Sequence, residues 1–155
     1  MTCRVWAPVG SRPVRPRQAG FEATYVFGAF FPSSGRKVGL LLPRRDTAAM
    51  SMFLAEVSGS LAADEHAVLV LDNAGWHRAK SLKVPPNVSL LYQPRYSPEV
   101  NGAENVWGCM KRRWLAHRVF KGHEAVLDAG QAAFNNLTPE MVTSLSNRAW
   151  AVAKN

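Results

Sequence analysis

From Ala67 to Trp114 the chain reads AVLVLDNAGWHRAKSLKVPPNVSLLYQPRYSPEVNGAENVWGCMKRRW. Five apolar residues, Ala67 to Leu71, run straight into a carboxylate, Asp72. A short apolar run bounded by turn signals predicts a strand buried on both faces. In open α/β sheets the chemistry collects at the carboxyl ends of such strands, where Asp72 falls. After the Ser97-Pro98 turn a helical pattern begins, with a second carboxylate, Glu104, just inside it. Two acidic side chains brought to one sheet edge in a strongly basic chain suggest a divalent-metal site acting on a polyanion.

The charge supports that direction. Nineteen Lys and Arg against eleven Asp and Glu give +8, and the pI is near 10.1. Nucleic acid is the natural partner for such a balance, although a solvated basic face is the plainer alternative. With 155 residues, 47% of them hydrophobic, the chain is expected to be one domain with a real core. Cys3 and Cys109 are too few and too distant to suggest a disulfide framework or a zinc site. No apolar run approaches the roughly 20 residues that span a bilayer. Met1 to Gly20 has four Arg, three Pro and no apolar centre, unlike a secretory leader. These features predict a soluble, cytoplasmic protein with no membrane partner.

Before the central stretch, residues 23 to 42 read as a hairpin turning at Pro32-Ser33-Ser34-Gly35. Thr47 to Leu61 carries Met50, Phe53, Leu54, Val57 and Leu61 at the spacing of an amphipathic helix, with Asp46 or Thr47 as cap. Asn87 to Tyr92 is a further strand. Helices are predicted from Val100 or Asn101 to about Val119, from His123 to Asn135 and from Pro139 to Ala153. The order hairpin, helix, strand, strand, helix, helix indicates α/β with a mixed sheet.

Asp72 and Glu104, with 31 residues between them, sit in LDNAGWH (71 to 77) and YSPEVNGAENVWG (96 to 108). With these motifs the sequence resembles the DDE transposases of the mariner-like and related bacterial insertion-sequence group. That family's LDNA..H motif matches Asp72, Asn73, Ala74 and His77. Its YSPELNPIENVW motif matches Tyr96, Ser97, Pro98, Glu99, Asn101, Glu104, Asn105 and Trp107. VWAPVGSRP, at 5 to 13, and the hairpin also look like the family. The resemblance implies an RNase H-like fold and metal-dependent cleavage at transposon ends, followed by strand transfer into target DNA. It implies Asp72 and Glu104 as catalytic, metal-binding carboxylates for Mg²⁺ or Mn²⁺, two ions in the complete site. It further implies DNA as partner, self-association or pairing with a full-length transposase, and a bacterial, nucleoid-associated location.

Two departures from the family pattern stand out. Gly102 replaces its usual Pro, loosening the turn before Glu104. No residue matches the family's first Asp, since the first acidic residue is Glu22. The resemblance therefore predicts a catalytic domain lacking its first strand, with no room for helix-turn-helix modules. A second reading is an inactive remnant that binds only DNA or a full-length transposase.

Candidate DNA contacts are Arg12, Arg15 and Arg17 in the Pro-rich arm and Lys111, Arg112 and Arg113 on the helix, with Arg118 and Lys121 beyond. The arm reads equally as solvated chain. Gly108, one helical turn beyond Glu104, leaves room for metal or DNA. Glu99 is an alternative ligand. His77 reads as a structural histidine or as a group orienting phosphate. Trp76, Tyr92 and Tyr96 read as packing residues or as base-stacking platforms.

Overall fold

The computed structural model describes residues 7–11, 24–94, 97 and 101–147. Strands β1 (Tyr25–Phe30) and β2 (Lys37–Leu42) form an antiparallel hairpin. Helix α1 (Thr47–Gly59) follows, capped by the Asp46 carboxylate, which accepts from the Ala49 N–H at 2.9 Å. Strand β3 (Ala67–Leu71) pairs in parallel with β4 (Val88–Tyr92). Helices α2 (Gly102–Met110), α3 (Gly122–Asn135) and α4 (Pro139–Ser146) follow among the described residues. Both ladders of a mixed sheet are therefore present. Among the described residues they form two separate two-stranded sheets.

The hairpin lies between two cores. Phe27 and Ala29 face α1, where Met50, Phe53, Leu54 and Val57 are buried and Leu69, Leu71, Val88 and Leu90 of the parallel pair join them. Val26 and Phe30 point the other way, toward Val106, Met110, Ala133, Phe134 and Val142 of the three later helices. Successive strand residues face opposite sides, so one hairpin serves both cores.

On the second face Gly28 and Gly39 are direct partners across the hairpin. Their missing side chains leave a flat trough that the Trp107 and Phe134 rings fill. A Cβ on Gly28 would stand 2.6 Å from Trp107, and one on Gly39 would stand 2.5 Å from Phe134. Trp107 also meets Phe30 edge-on, with ring centroids 5.1 Å apart. This contact seats α2, and therefore Glu104, on the hairpin.

The structure corrects three expectations. First, β3 is not buried on both faces. Ala67, Leu69 and Leu71 lean on the α1 core, but Val68, on the opposite face, is 63% exposed. Among the described residues β4 is the one strand beside β3. Second, α2 does not run to Val119. It stops at Met110, and Lys111–Leu115 forms a π-helical turn closed by the Ala116 N–H on the Lys111 carbonyl at 2.7 Å. His117 then takes a left-handed φ of 63°, which ends helical continuation. Third, α4 ends at Ser146; the part of that prediction beyond residue 147 lies outside the described residues. Among the described residues no helix is long and apolar enough to cross a membrane.

Candidate functional site

Asp72 follows the last residue of β3. Its Oδ1 accepts from the Ala74 N–H at 3.0 Å, an Asx turn that closes the strand end. Gly75–His77 then makes one 3₁₀ turn, which folds His77 back beneath Asp72. The His77 Nδ1 lies 2.8 Å from Asp72 Oδ1 and 3.2 Å from the Asp72 carbonyl oxygen. Both neighbours are acceptors, so Nδ1 carries the proton and donates. Asp72 thus caps the turn through the Ala74 N–H, and the structural reading of His77 is satisfied by Asp72.

The carboxyl ends of β3 and β4 are tied together around this pair. The Gln93 N–H donates to the Leu71 carbonyl at 2.8 Å. Asn73 Nδ2 donates to the Gln93 carbonyl at 2.5 Å, and the Tyr92 hydroxyl to the His77 carbonyl at 2.6 Å. Tyr92 is thus a bonding and packing residue, with the Arg78 guanidinium 4.7 Å over its ring. Trp76 packs edge-on against Phe27 at 5.8 Å. The Asp72 side chain nonetheless stays 63% exposed. Among the described residues both of its side-chain bonds fall on Oδ1, which leaves Oδ2 unengaged.

Glu104 stands in the first turn of α2. The neighbouring motif residues have structural work. Asn101 caps the helix, its Oδ1 accepting from the Ala103 N–H at 3.0 Å. Asn105 Nδ2 donates to the Leu145 carbonyl at 3.1 Å, binding α2 to α4. Gly102 lies against the Ser146 backbone so closely that a Cβ would collide with its carbonyl oxygen. The glycine therefore allows a helix–helix approach, where the sequence suggested only a looser turn. Glu104 is exposed; its N–H donates to the Asn101 carbonyl at 3.3 Å, and its carboxylate has no hydrogen bond or ion pair among the described residues.

The remaining candidates are placed less uniformly. Arg12, Arg15, Arg17, Tyr96 and Glu99 lie outside the described residues. Lys111, Arg112 and Arg113 fall in the π-helical turn, with Arg112 and Arg113 exposed. The space above Gly108 is occupied: a Cβ there would meet the Arg112 guanidinium at 3.0 Å. Arg113 lies 5.7 Å over the Trp114 ring, and Arg118 donates to the Trp114 carbonyl at 3.2 Å. Sequence reasoning missed the His77–Asp72 contact and the Tyr92 and Asn73 ties. The Tyr92 and Asn73 ties run between β3 and β4 ends that are distant in sequence, and the His77 contact depends on the 3₁₀ turn.

Exposed carboxylate oxygens are the right donors for a hard divalent cation, and no Cys/His cage is needed. Asp72 offers an unengaged oxygen and Glu104 an unpaired carboxylate, so each is the type of donor that Mg²⁺ or Mn²⁺ takes. Among the described residues no three His, Cys, Asp or Glu side chains gather as a metal site. Mg²⁺ commonly takes one or two carboxylates and completes its shell with water and phosphate oxygens.

Residues 2–127 match the sequence profile of a family described as DDE superfamily endonuclease. An uncharacterized protein of Sinorhizobium fredii, y4pE/y4sA, is 45% identical over 129 residues, covering 82% of this chain and 96% of that protein. Among solved structures, the crystal structure of the Mos1 strand transfer complex superposes with a TM-score of 0.65 at 18% identity, over 94% of this chain. It matches 46% of that chain, so this protein spans about half its length. The likeness establishes the fold as RNase H-like α/β.

Proposed function

The chain belongs to the DDE superfamily of endonucleases, and we propose that residues 1–155 are the catalytic domain of a transposase that cuts DNA at transposon ends and transfers the strand to target DNA. One observation carries the site assignment. Within two motifs whose other described polar residues are engaged in caps and ties, Asp72 Oδ2 and Glu104 stay exposed and unpaired. Fold-making residues are consumed by the fold; these carboxylate oxygens are left for chemistry.

Asp72 and Glu104 would hold Mg²⁺ or Mn²⁺. When bound, such ions would supply activation of the attacking water or 3′-hydroxyl and charge stabilisation at the phosphate. The chain's own residues position this chemistry. The Asx turn and His77 fix Asp72 at the strand end, and the Trp107 and Asn105 contacts fix the helix that carries Glu104. The exposed Arg112 and Arg113 guanidinium groups, with Lys111 beside them and the arm residues Arg12, Arg15 and Arg17, hold DNA phosphates. We place the protein in the bacterial cytoplasm, associated with the nucleoid, with DNA and a second transposase copy as partners.

A second reading is a catalytically inactive transposase remnant. On that reading the chain binds DNA or a full-length transposase without cutting. Incubating the purified chain with supercoiled plasmid and Mg²⁺ separates the two. Metal-dependent nicking that Asp72→Asn abolishes supports the catalytic reading. Salt-sensitive DNA binding without nicking supports the remnant.

A further inference from the structure

An exposed carboxylate ordinarily samples several rotamers, yet Asp72 is held from the side facing the protein. The grip comes from His77, which is itself immobilised. His77 is buried, its ring centroid lies 3.8 Å from that of Trp76, and its carbonyl receives the Tyr92 hydroxyl at 2.6 Å. Trp76 packs on Phe27 at 5.8 Å, and Phe27 on Phe53 of α1 at 5.6 Å. A continuous row of rings thus runs from the centre of the first core to the strand-end carboxylate. A histidine needed only for packing could satisfy Nδ1 with the Asp72 carbonyl oxygen alone. Here the shorter contact, 2.8 Å against 3.2 Å, goes to the carboxylate.

We infer that His77 is a positioning residue: its Nδ1–H fixes Asp72 Oδ1 against the core and presents Oδ2 as the one metal-facing oxygen. The inference rests on the reading of Asp72 as a metal ligand. Donors that orient metal-binding carboxylates typically contribute about 10–100-fold in metal affinity. A ligand already held in place loses less conformational freedom when the ion arrives. Asn73 and Tyr92 extend the same frame by locking the two strand ends that flank the carboxylate.

Two measurements on the full chain test this. In the first, ¹⁵N-histidine NMR is expected to show the His77 Nδ1–H form with a slowly exchanging proton. Asp72→Ala should shift that nitrogen and speed the exchange. In the second, Mn²⁺ binding is followed by electron paramagnetic resonance. His77→Phe keeps the ring volume and removes the donor; it should weaken Mn²⁺ binding about 10–100-fold while the thermal midpoint stays close to the parent's. His77→Asn, whose Nδ2 takes the place of Nδ1, should recover most of that loss. If His77→Phe binds Mn²⁺ like the parent while Asp72→Asn does not, positioning by His77 is overturned and the metal reading stands. If Asp72→Asn leaves Mn²⁺ binding unchanged, the metal reading fails instead. The positioning role falls with it, whatever the imidazole signal shows.

Discussion

At the scale of single residues, the two motifs divide into side chains that build and side chains that the building leaves free. Asp72→Asn keeps an oxygen for the Ala74 N–H and the His77 Nδ1–H, and Glu104→Gln alters an exposed group. Both substitutions should therefore shift stability by less than about 0.5 kcal/mol in urea unfolding. Gly39 is the contrast. Its Cβ would enter the Phe134 ring at 2.5 Å, so Gly39→Ala should cost about 1–3 kcal/mol in the same measurement. Much of this scale was legible: a polar residue closing an apolar run announced the strand end, and the motif spacing announced Glu104. The role of Gly102 was not, because its partner, the Ser146 carbonyl, lies far along the chain and leaves no local trace. Nor was the His77–Asp72 bond, which depends on one 3₁₀ turn folding the chain back on itself.

At the scale of elements, the hairpin, α1, β3 and β4 followed from turn residues and periodicity. The end of α2 did not, because Lys111, Arg112 and Arg113 carry no helix breaker and the π-helical turn comes from tertiary packing. Packing also brings distant elements together through Lys37, whose Nζ donates to the carbonyls of Phe134, Asn135 and Leu137 at the end of α3. Burial pushes the Lys37 amine below the ordinary lysine value. Lys37→Met would strip the donor from those carbonyls and should cost about 1–3 kcal/mol, read from the urea midpoint.

Two carboxylates link elements to pH. Glu65 is held below the ordinary glutamate range by the Ala62 N–H and the Arg36 guanidinium, 3.0 Å away. Glu140 is held low by the Thr138 hydroxyl and its own backbone N–H. A depressed folded pKa means the unfolded chain binds the proton more readily. Their contribution is then full above the ordinary glutamate range and lost as pH falls through the lower folded values. Thermal midpoints should decline in that acidic window, and Glu65→Gln should make the decline shallower.

For the whole molecule, a net charge of +8 is carried on a fold whose hairpin is set between two cores, with Arg112 and Arg113 exposed in the turn after α2. If Arg112 and Arg113 each contact a phosphate, replacing both with Ala should reduce the log–log salt slope of DNA binding by about two. A fluorescence-anisotropy titration over salt measures it. The fold class was legible at this scale because apolar periodicity and element order survive in sequence. How side chains gather in three dimensions was not, because that gathering has no signature in composition or spacing. Iron-directed backbone cleavage addresses the central claim, that Asp72 and Glu104 share one metal site. Fe²⁺ replaces Mg²⁺, and ascorbate with peroxide cuts the chain beside the bound ion. Cuts near both residue 72 and residue 104, both lost in Asp72→Asn and in Glu104→Gln, are the predicted result. Cuts elsewhere, or cuts at either position that persist when the other carboxylate is removed, would contradict a shared site.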